Sequence, residues 1–182
     1  MKDTVIIDGK TFELFIDRKA IEEKTAELAK VLAKEYEDRC PVFVVVLDGA
    51  FMFAAEFFKH YQNMCEVEFV KLISYVGAES SGQVINCIGI TEEQVKGREI
   101  VILEDIIDSG LTMDYFMDYI NGMSPKSVQI VTMLFKPDSL KKDINLNHYC
   151  FSIPPAFVVG YGLDYNEKGR NLTNIYQIVN GK

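Results

Sequence analysis

Ile100-Val101-Ile102-Leu103-Glu104-Asp105-Ile106-Ile107-Asp108-Ser109-Gly110-Leu111-Thr112 joins an apolar run to three carboxylates and a turn of small residues. The aliphatic run from Ile100 to Leu103 predicts a strand buried on both faces, as in parallel sheets. Glu104 and Asp105 then fall at its carboxyl end, where open α/β sheets bind ligands. Beyond Ser109 and Gly110, the residues Met113, Phe116, Met117 and Ile120 recur on one helical face. A helix starting there points unpaired N–H groups and the positive end of its dipole at an anion. Acids suited to ribose hydroxyls or a metal thus adjoin a phosphate-sized cradle. That is the composition of a phosphorylated-sugar site.

The flanking sequence repeats the strand-helix pattern. Phe12 to Ile16 reads as a short extended lead-in, and Asp17 is placed to cap a helix that turns Ile21, Leu28, Leu32 and Tyr36 inward. Pro41 breaks the chain before a strand from Val42 to Leu47. Asp48-Gly49-Ala50 makes a tight turn into a helix from Phe51 to Tyr61. Val67 to Tyr75 is the next strand, Gly77 to Gln83 has the composition of a loop, and Val84 to Ile90 returns antiparallel. Gly97 turns into the central strand, and Gly122, Ser124 and Pro125 stop the helix after it. Further strands are expected over Ser127 to Phe135 and Phe157 to Gly160. Such alternation predicts an α/β fold with a mainly parallel sheet flanked by helices. The terminal segments, about 1–16 and 137–182, are expected to combine into a small hood over the sheet's carboxyl edge.

Bulk composition narrows the classes. With 182 residues, 48% of them hydrophobic, the chain is suited to a single domain over 1–182. The longest apolar runs are strand-sized and far short of the ~20 residues of a membrane span. The opening Met-Lys-Asp-Thr lacks a secretory core, so a cytoplasmic protein is expected. Cys40, Cys65, Cys87 and Cys150 show no C-x-x-C spacing, and His60 and His148 stand alone. Neither pattern suggests a zinc or redox centre. A formal charge of −8 opposes nucleic-acid binding.

Glu104-Asp-Ile-Ile-Asp-Ser-Gly-Leu-Thr112 closely resembles the phosphoribosyl pyrophosphate signature of the type I phosphoribosyltransferases. With the downstream residues below, the chain is most similar to the hypoxanthine-guanine branch of that family, from about Phe12 onward. The resemblance implies the type I fold and purine salvage: hypoxanthine, and guanine with it, reacting with 5-phosphoribosyl 1-pyrophosphate. It implies that Asp108 manages the proton of the attacking base. Glu104 and Asp105 would hold the ribose hydroxyls, while Ser109, Gly110, the Leu111 amide and Thr112 would bind the 5′-phosphate. Leu47, Asp48 and Gly49 match the pyrophosphate loop, where the family usually carries lysine instead of Asp48 and a non-proline cis peptide before it. An aspartate facing pyrophosphate would be repelled, so its side chain is expected to turn away. Ser74 and Tyr75 match the serine-tyrosine pair of a catalytic flap.

The resemblance extends to the base site. Lys136 would donate to a 6-oxo group, which adenine lacks. Phe157 would stack on the purine, Val158 would meet its edge through the backbone, and Leu163 would close the pocket. Arg170 would clamp the leaving pyrophosphate. Magnesium would arrive with the substrate, with Glu104, Asp105 and Asp164 reaching it mostly through water. A homodimer or homotetramer is implied, with small-molecule substrates and neither nucleic-acid nor membrane partners. Singly, these residues have plainer readings: a capped helix at Ser109, a core ring at Phe157, solvated cations at Lys136 and Arg170. Two other functions remain open, a transferase for xanthine or another base and a regulatory relative that binds without catalysis.

Overall fold

The computed structural model describes residues 3–76 and 83–179. A hairpin of β1 (Thr4–Ile7) and β2 (Lys10–Ile16) leads into α1 (Arg18–Glu35), followed by β3 (Val42–Leu47) and α2 (Phe51–His60). Next come β4 (Glu66–Val76), β5 (Gln83–Ile88), the single-turn α3 (Glu92–Val95), β6 (Glu99–Ile107) and α4 (Leu111–Gly122). The chain ends with β7 (Ser127–Phe135), β8 (His148–Ser152), β9 (Val158–Val159) and β10 (Ile175–Ile178).

Six strands form the main sheet in the order β5-β4-β3-β6-β7-β8, parallel except for β5, which runs antiparallel to β4. The continuous apolar runs are explained by burial on both faces. Along β3, Phe43 and Val45 meet α1 and α2, while Val42, Val44 and Val46 meet the α4 side. On β6 the same alternation sends Val101 and Leu103 one way and Ile100 and Ile102 the other. Phe43 anchors the first layer, with ring centroids 5.3 Å from Phe57 and 4.9 Å from Tyr61. Burying each such ring contributes about 1.5–3 kcal/mol.

The strand order places the site. From β3 the chain moves to β4 on one side and then crosses to β6 on the other. The sheet therefore reverses between β3 and β6, and a crevice opens at such a reversal beyond the carboxyl ends. Residues 47–50 and 104–112 span the carboxyl ends of these two strands and the turns beyond them, and so meet there.

Several sequence expectations are corrected. The acids do not follow the central strand: β6 continues through Glu104 and Asp105 to Ile107. Its pairing with β7 steps from Glu104–Thr132 to Ile106–Leu134, passing over Asp105. The expected strand at 157–160 shrinks to Val158–Val159 and joins a second sheet, β1-β2-β10-β9. That sheet carries the two ends of the chain, but β8, inside the segment assigned to the hood, is an edge strand of the large sheet. β1, β8, β10 and α3 had no clear sequence signal, being short and weakly patterned. The loop expected at 77–83 lies outside the described residues except for Gln83, which begins β5.

Candidate active site

Two of the helices that begin at the crevice have no side-chain cap. In α1, away from it, Asp17 Oδ1 accepts from the Ala20 amide at 2.9 Å. By contrast, the N-caps of α2 and α4 are Ala50 and Gly110, neither of which has a side chain that caps the first turn. Ser109 is not the N-cap; its Oγ is a distant 3.4 Å from the Leu111 amide. The unpaired amides remain free for an anionic ligand. Gly110 has φ 77°, which favours glycine at this position, and a Cβ there would meet Ile144 Cγ1 at 2.9 Å. A cleft of about 140 Å³ lies over this turn, lined by Glu104, Ile106, Asp108, Ser109, Gly110 and Thr112 among others. Leu111 is absent from the lining and its side chain is exposed.

Glu104 and Asp105 form a closely coupled buried pair. Burial, the neighbouring Asp105 charge and their mutual hydrogen bond, in that order, push the Glu104 carboxyl well above the ordinary range. Burial raises Asp105 too, against the opposing effects of its bond to Glu104, the Ile106 amide and the nearby Arg170 charge. The Ile106 amide donates to Asp105 Oδ1 at 2.8 Å. Glu104 Oε2 is buried with no hydrogen-bond partner. The pair thus favours retaining a proton between its members.

The β3–α2 turn lies directly against this pair. Leu47–Asp48 is a cis peptide bond, as the family resemblance implied. A Cβ on Gly49 would fall 1.7 Å from Asp105 Oδ2, so only glycine lets the turn approach the carboxylate this closely. Gly162 packs against the same turn: its φ is 101° and a Cβ there would lie 1.9 Å from the Gly49 carbonyl oxygen. The Asp48 carboxylate points to β4, where Lys71 Nζ is 2.8 Å from Oδ2.

A second cleft, about 170 Å³, is lined by Ile106, Asp108, Lys136, Phe157, Val158, Leu163 and Asp164. The Lys136 amide donates to Ile107 O at 2.9 Å, which sets its side chain beside the end of β6. There its ammonium lies 2.6 Å from Asp108 Oδ2, with the lysine side chain 8% exposed and the aspartate 53%. Phe157 is not a core ring: it is 46% exposed, with Tyr165 edge-on behind it at 5.7 Å and Phe12 at 6.4 Å. Asp108 and Ile106 line both clefts.

The phosphoribosyl transferase domain family matches residues 15–166. The chain belongs to this family. It is 41% identical over 163 residues to the hypoxanthine-guanine phosphoribosyltransferase of Bacillus subtilis, covering 90% of this chain and 91% of the relative. A solved hypoxanthine-guanine phosphoribosyltransferase of Bacillus anthracis superposes with a TM-score of 0.83 at 32% identity, covering 91% of this chain and 98% of that one. A hypoxanthine phosphoribosyltransferase of Staphylococcus aureus gives a TM-score of 0.85 at 31% identity, covering 92% and 91% respectively. The protein is a transferase with the type I phosphoribosyltransferase fold.

In this phosphoribosyltransferase the sequence-selected residues fall into three groups: the 104–112 turn, the 47–49 loop packed against Asp105, and the lining of the second cleft, which shares Asp108 with the first. Arg170 adjoins them, held by Asp164 Oδ1 at 2.7 Å while donating to the Gly162 carbonyl at 2.8 Å. Asp164 Oδ2 also accepts from the Glu167 amide at 2.8 Å. Ser74 and Tyr75 belong to the backbone of β4. Their side chains, and the flap expected after them, lie outside the described residues. Sequence reasoning missed Ile106, Gly162, Lys71 and the Phe12–Tyr165 backing of Phe157. Only the glycine pattern around Tyr161 offered a cue; the others are brought in by strand register and by packing between distant segments.

Proposed function

We propose that the chain is a purine-salvage enzyme transferring the phosphoribosyl group of 5-phosphoribosyl 1-pyrophosphate to hypoxanthine and guanine, forming the nucleoside 5′-monophosphate and pyrophosphate. The observation that carries the reading is Asp108, shared by the phosphate-sized and purine-sized clefts and paired with buried Lys136. A 6-oxopurine entering the second cleft takes the Lys136 ammonium with its carbonyl oxygen. Asp108, released from that pair, accepts the proton of the attacking ring nitrogen as a general base. The bond from that nitrogen to the anomeric carbon forms as the carbon–oxygen bond to pyrophosphate breaks, and pyrophosphate leaves with the electron pair.

Ser109, Gly110, the Leu111 amide and Thr112 hold the 5′-phosphate, and Glu104 and Asp105 hold the ribose hydroxyls. The amides of residues 47–49 and the Arg170 guanidinium receive pyrophosphate. Phe157 stacks on the base, Val158 reads its edge and Leu163 closes the pocket. Ser74 and Tyr75 belong to a flap that excludes water from the cationic centre.

The acidic set fits magnesium brought in with the substrate. Glu104 Oε2 is an orphaned buried oxygen, whereas no three acids cluster as a metal cage among the described residues, so Glu104, Asp105 and Asp164 would reach the ion mostly through its bound water. When bound, the ion would neutralise charge on the leaving pyrophosphate. We further read 1–182 as one catalytic unit with a hood built from the terminal strands, working in the cytoplasm as a dimer or tetramer. No helix among the described residues is long and apolar enough to cross a membrane.

Initial rates with hypoxanthine, guanine, xanthine, adenine and uracil, with and without magnesium, test the assignment. The expected result is magnesium-dependent turnover of hypoxanthine and guanine. Preference for adenine or uracil would overturn the role given to Lys136, and absence of turnover with every base would overturn the enzyme.

A further inference from the structure

Among the cations described near the sheet's carboxyl edge, three rest on aspartates beside the purine cleft or the 47–49 loop. Lys136 pairs with Asp108 at 2.6 Å, Arg170 with Asp164 at 2.7 Å and Lys71 with Asp48 at 2.8 Å. The first two are already accounted for by the base and the leaving group. The third lies beside the loop where pyrophosphate binds in the reading above. We infer that Lys71 is a pyrophosphate-binding residue of this chain and that Asp48 is the positioning residue that holds its ammonium at the loop.

Register places the lysine there. In the parallel pairing of β3 with β4, Lys71 is the partner of Leu47, the last residue before the turn. Its side chain therefore rises abreast of the 48–50 amides, and the ion pair draws the ammonium to residue 48 itself. Asp48 alone would put a negative charge beside a polyanion, so the loop needs a compensating cation. Stability does not explain the pair. Both side chains are half exposed, 51% for Lys71 and 49% for Asp48, and an exposed pair contributes only about 0–1 kcal/mol. An ammonium so lightly held is available to a ligand carrying several negative charges. The flexible lysine stem lets it turn from the carboxylate to a phosphoryl oxygen without moving the backbone.

The inference rests on the phosphoribosyltransferase reading, and the alternative is that Lys71 merely cancels Asp48. Calorimetric titration with magnesium pyrophosphate, alongside steady-state KM values, separates them. Lys71→Met is expected to weaken pyrophosphate binding and raise KM for phosphoribosyl pyrophosphate on the order of tenfold, the loss of one charge-assisted bond. The KM for hypoxanthine is expected to stay within about twofold, because Lys71 does not line the purine cleft. Lys71→Arg should retain most of the affinity. The deciding variant is Asp48→Asn combined with Lys71→Met, which removes both charges: it should remain defective for pyrophosphate. Wild-type pyrophosphate affinity in that double variant, or in Lys71→Met alone, would overturn the inference. Lys71-dependent pyrophosphate binding in a wild-type protein without transferase activity would instead keep this assignment and overturn the functional reading.

Discussion

Gly49→Ala is expected to disable the sugar site through Asp105. The new Cβ would lie 1.7 Å from Asp105 Oδ2 and 2.4 Å from its Cγ, where real Cβ contacts stay beyond 3.0 Å. Either the turn or the carboxylate must retreat by about 1.3 Å. The turn has little freedom, because Gly162 is closely apposed to the Gly49 carbonyl. The carboxylate must therefore yield, straining its bond from the Ile106 amide and its contact with Glu104. Losing a charge-assisted bond in a buried setting costs about 1.5–3 kcal/mol, and overpacking adds about 1–3 kcal/mol. A destabilisation of about 3–5 kcal/mol is expected by urea unfolding, together with a raised KM for phosphoribosyl pyrophosphate. A double-mutant cycle isolates the cause: in an Asp105→Ala background the added methyl has space, and most of the stability cost should vanish. An equal cost in both backgrounds would refute the steric chain from Gly49 to Asp105.

Asp108→Asn is expected to lower kcat by about 10²–10⁴-fold with purine KM little changed, and a wild-type kcat would remove Asp108 from proton transfer. Lys136→Met should reduce the preference for hypoxanthine over adenine by about tenfold or more, read as the ratio of their kcat/KM values. Glu104→Gln, studied without magnesium, should flatten the dependence of stability on pH. Because the folded-state Glu104 carboxyl titrates above its ordinary value of 4.5, its contribution is fully present below that pH and is lost as pH rises through the folded value. The Gln variant should therefore be the more stable protein at neutral and higher pH while binding phosphoribosyl pyrophosphate less tightly. Urea midpoints across pH 5–9 that parallel the wild type would contradict this, although a residual slope from Asp105 is expected.

Local chemistry was sufficient for much of this protein. A run such as Val42–Leu47 has one favourable environment, a strand covered on both faces, and Asp17 before a periodic apolar segment has one common use, a helix cap. The 104–112 stretch announces its chemistry because acids, a small-residue turn and a helix start are consecutive in the chain. The purine-site residues Lys136, Phe157 and Leu163 were found only through their order in a known family, since none carries a distinguishing local pattern.

Tertiary structure decided what depends on distance between segments far apart in sequence. Sequence could not place Lys71 beside Asp48, because that contact follows from the β3–β4 register. Nor could it seat Gly162 on Gly49 and Gly49 on Asp105, which requires three separated segments to close on one point. The proton-retaining state of Glu104 belongs to the same class. A carboxylate's charge is governed by its solvation and its neighbours, and those exist only once the chain has folded around it.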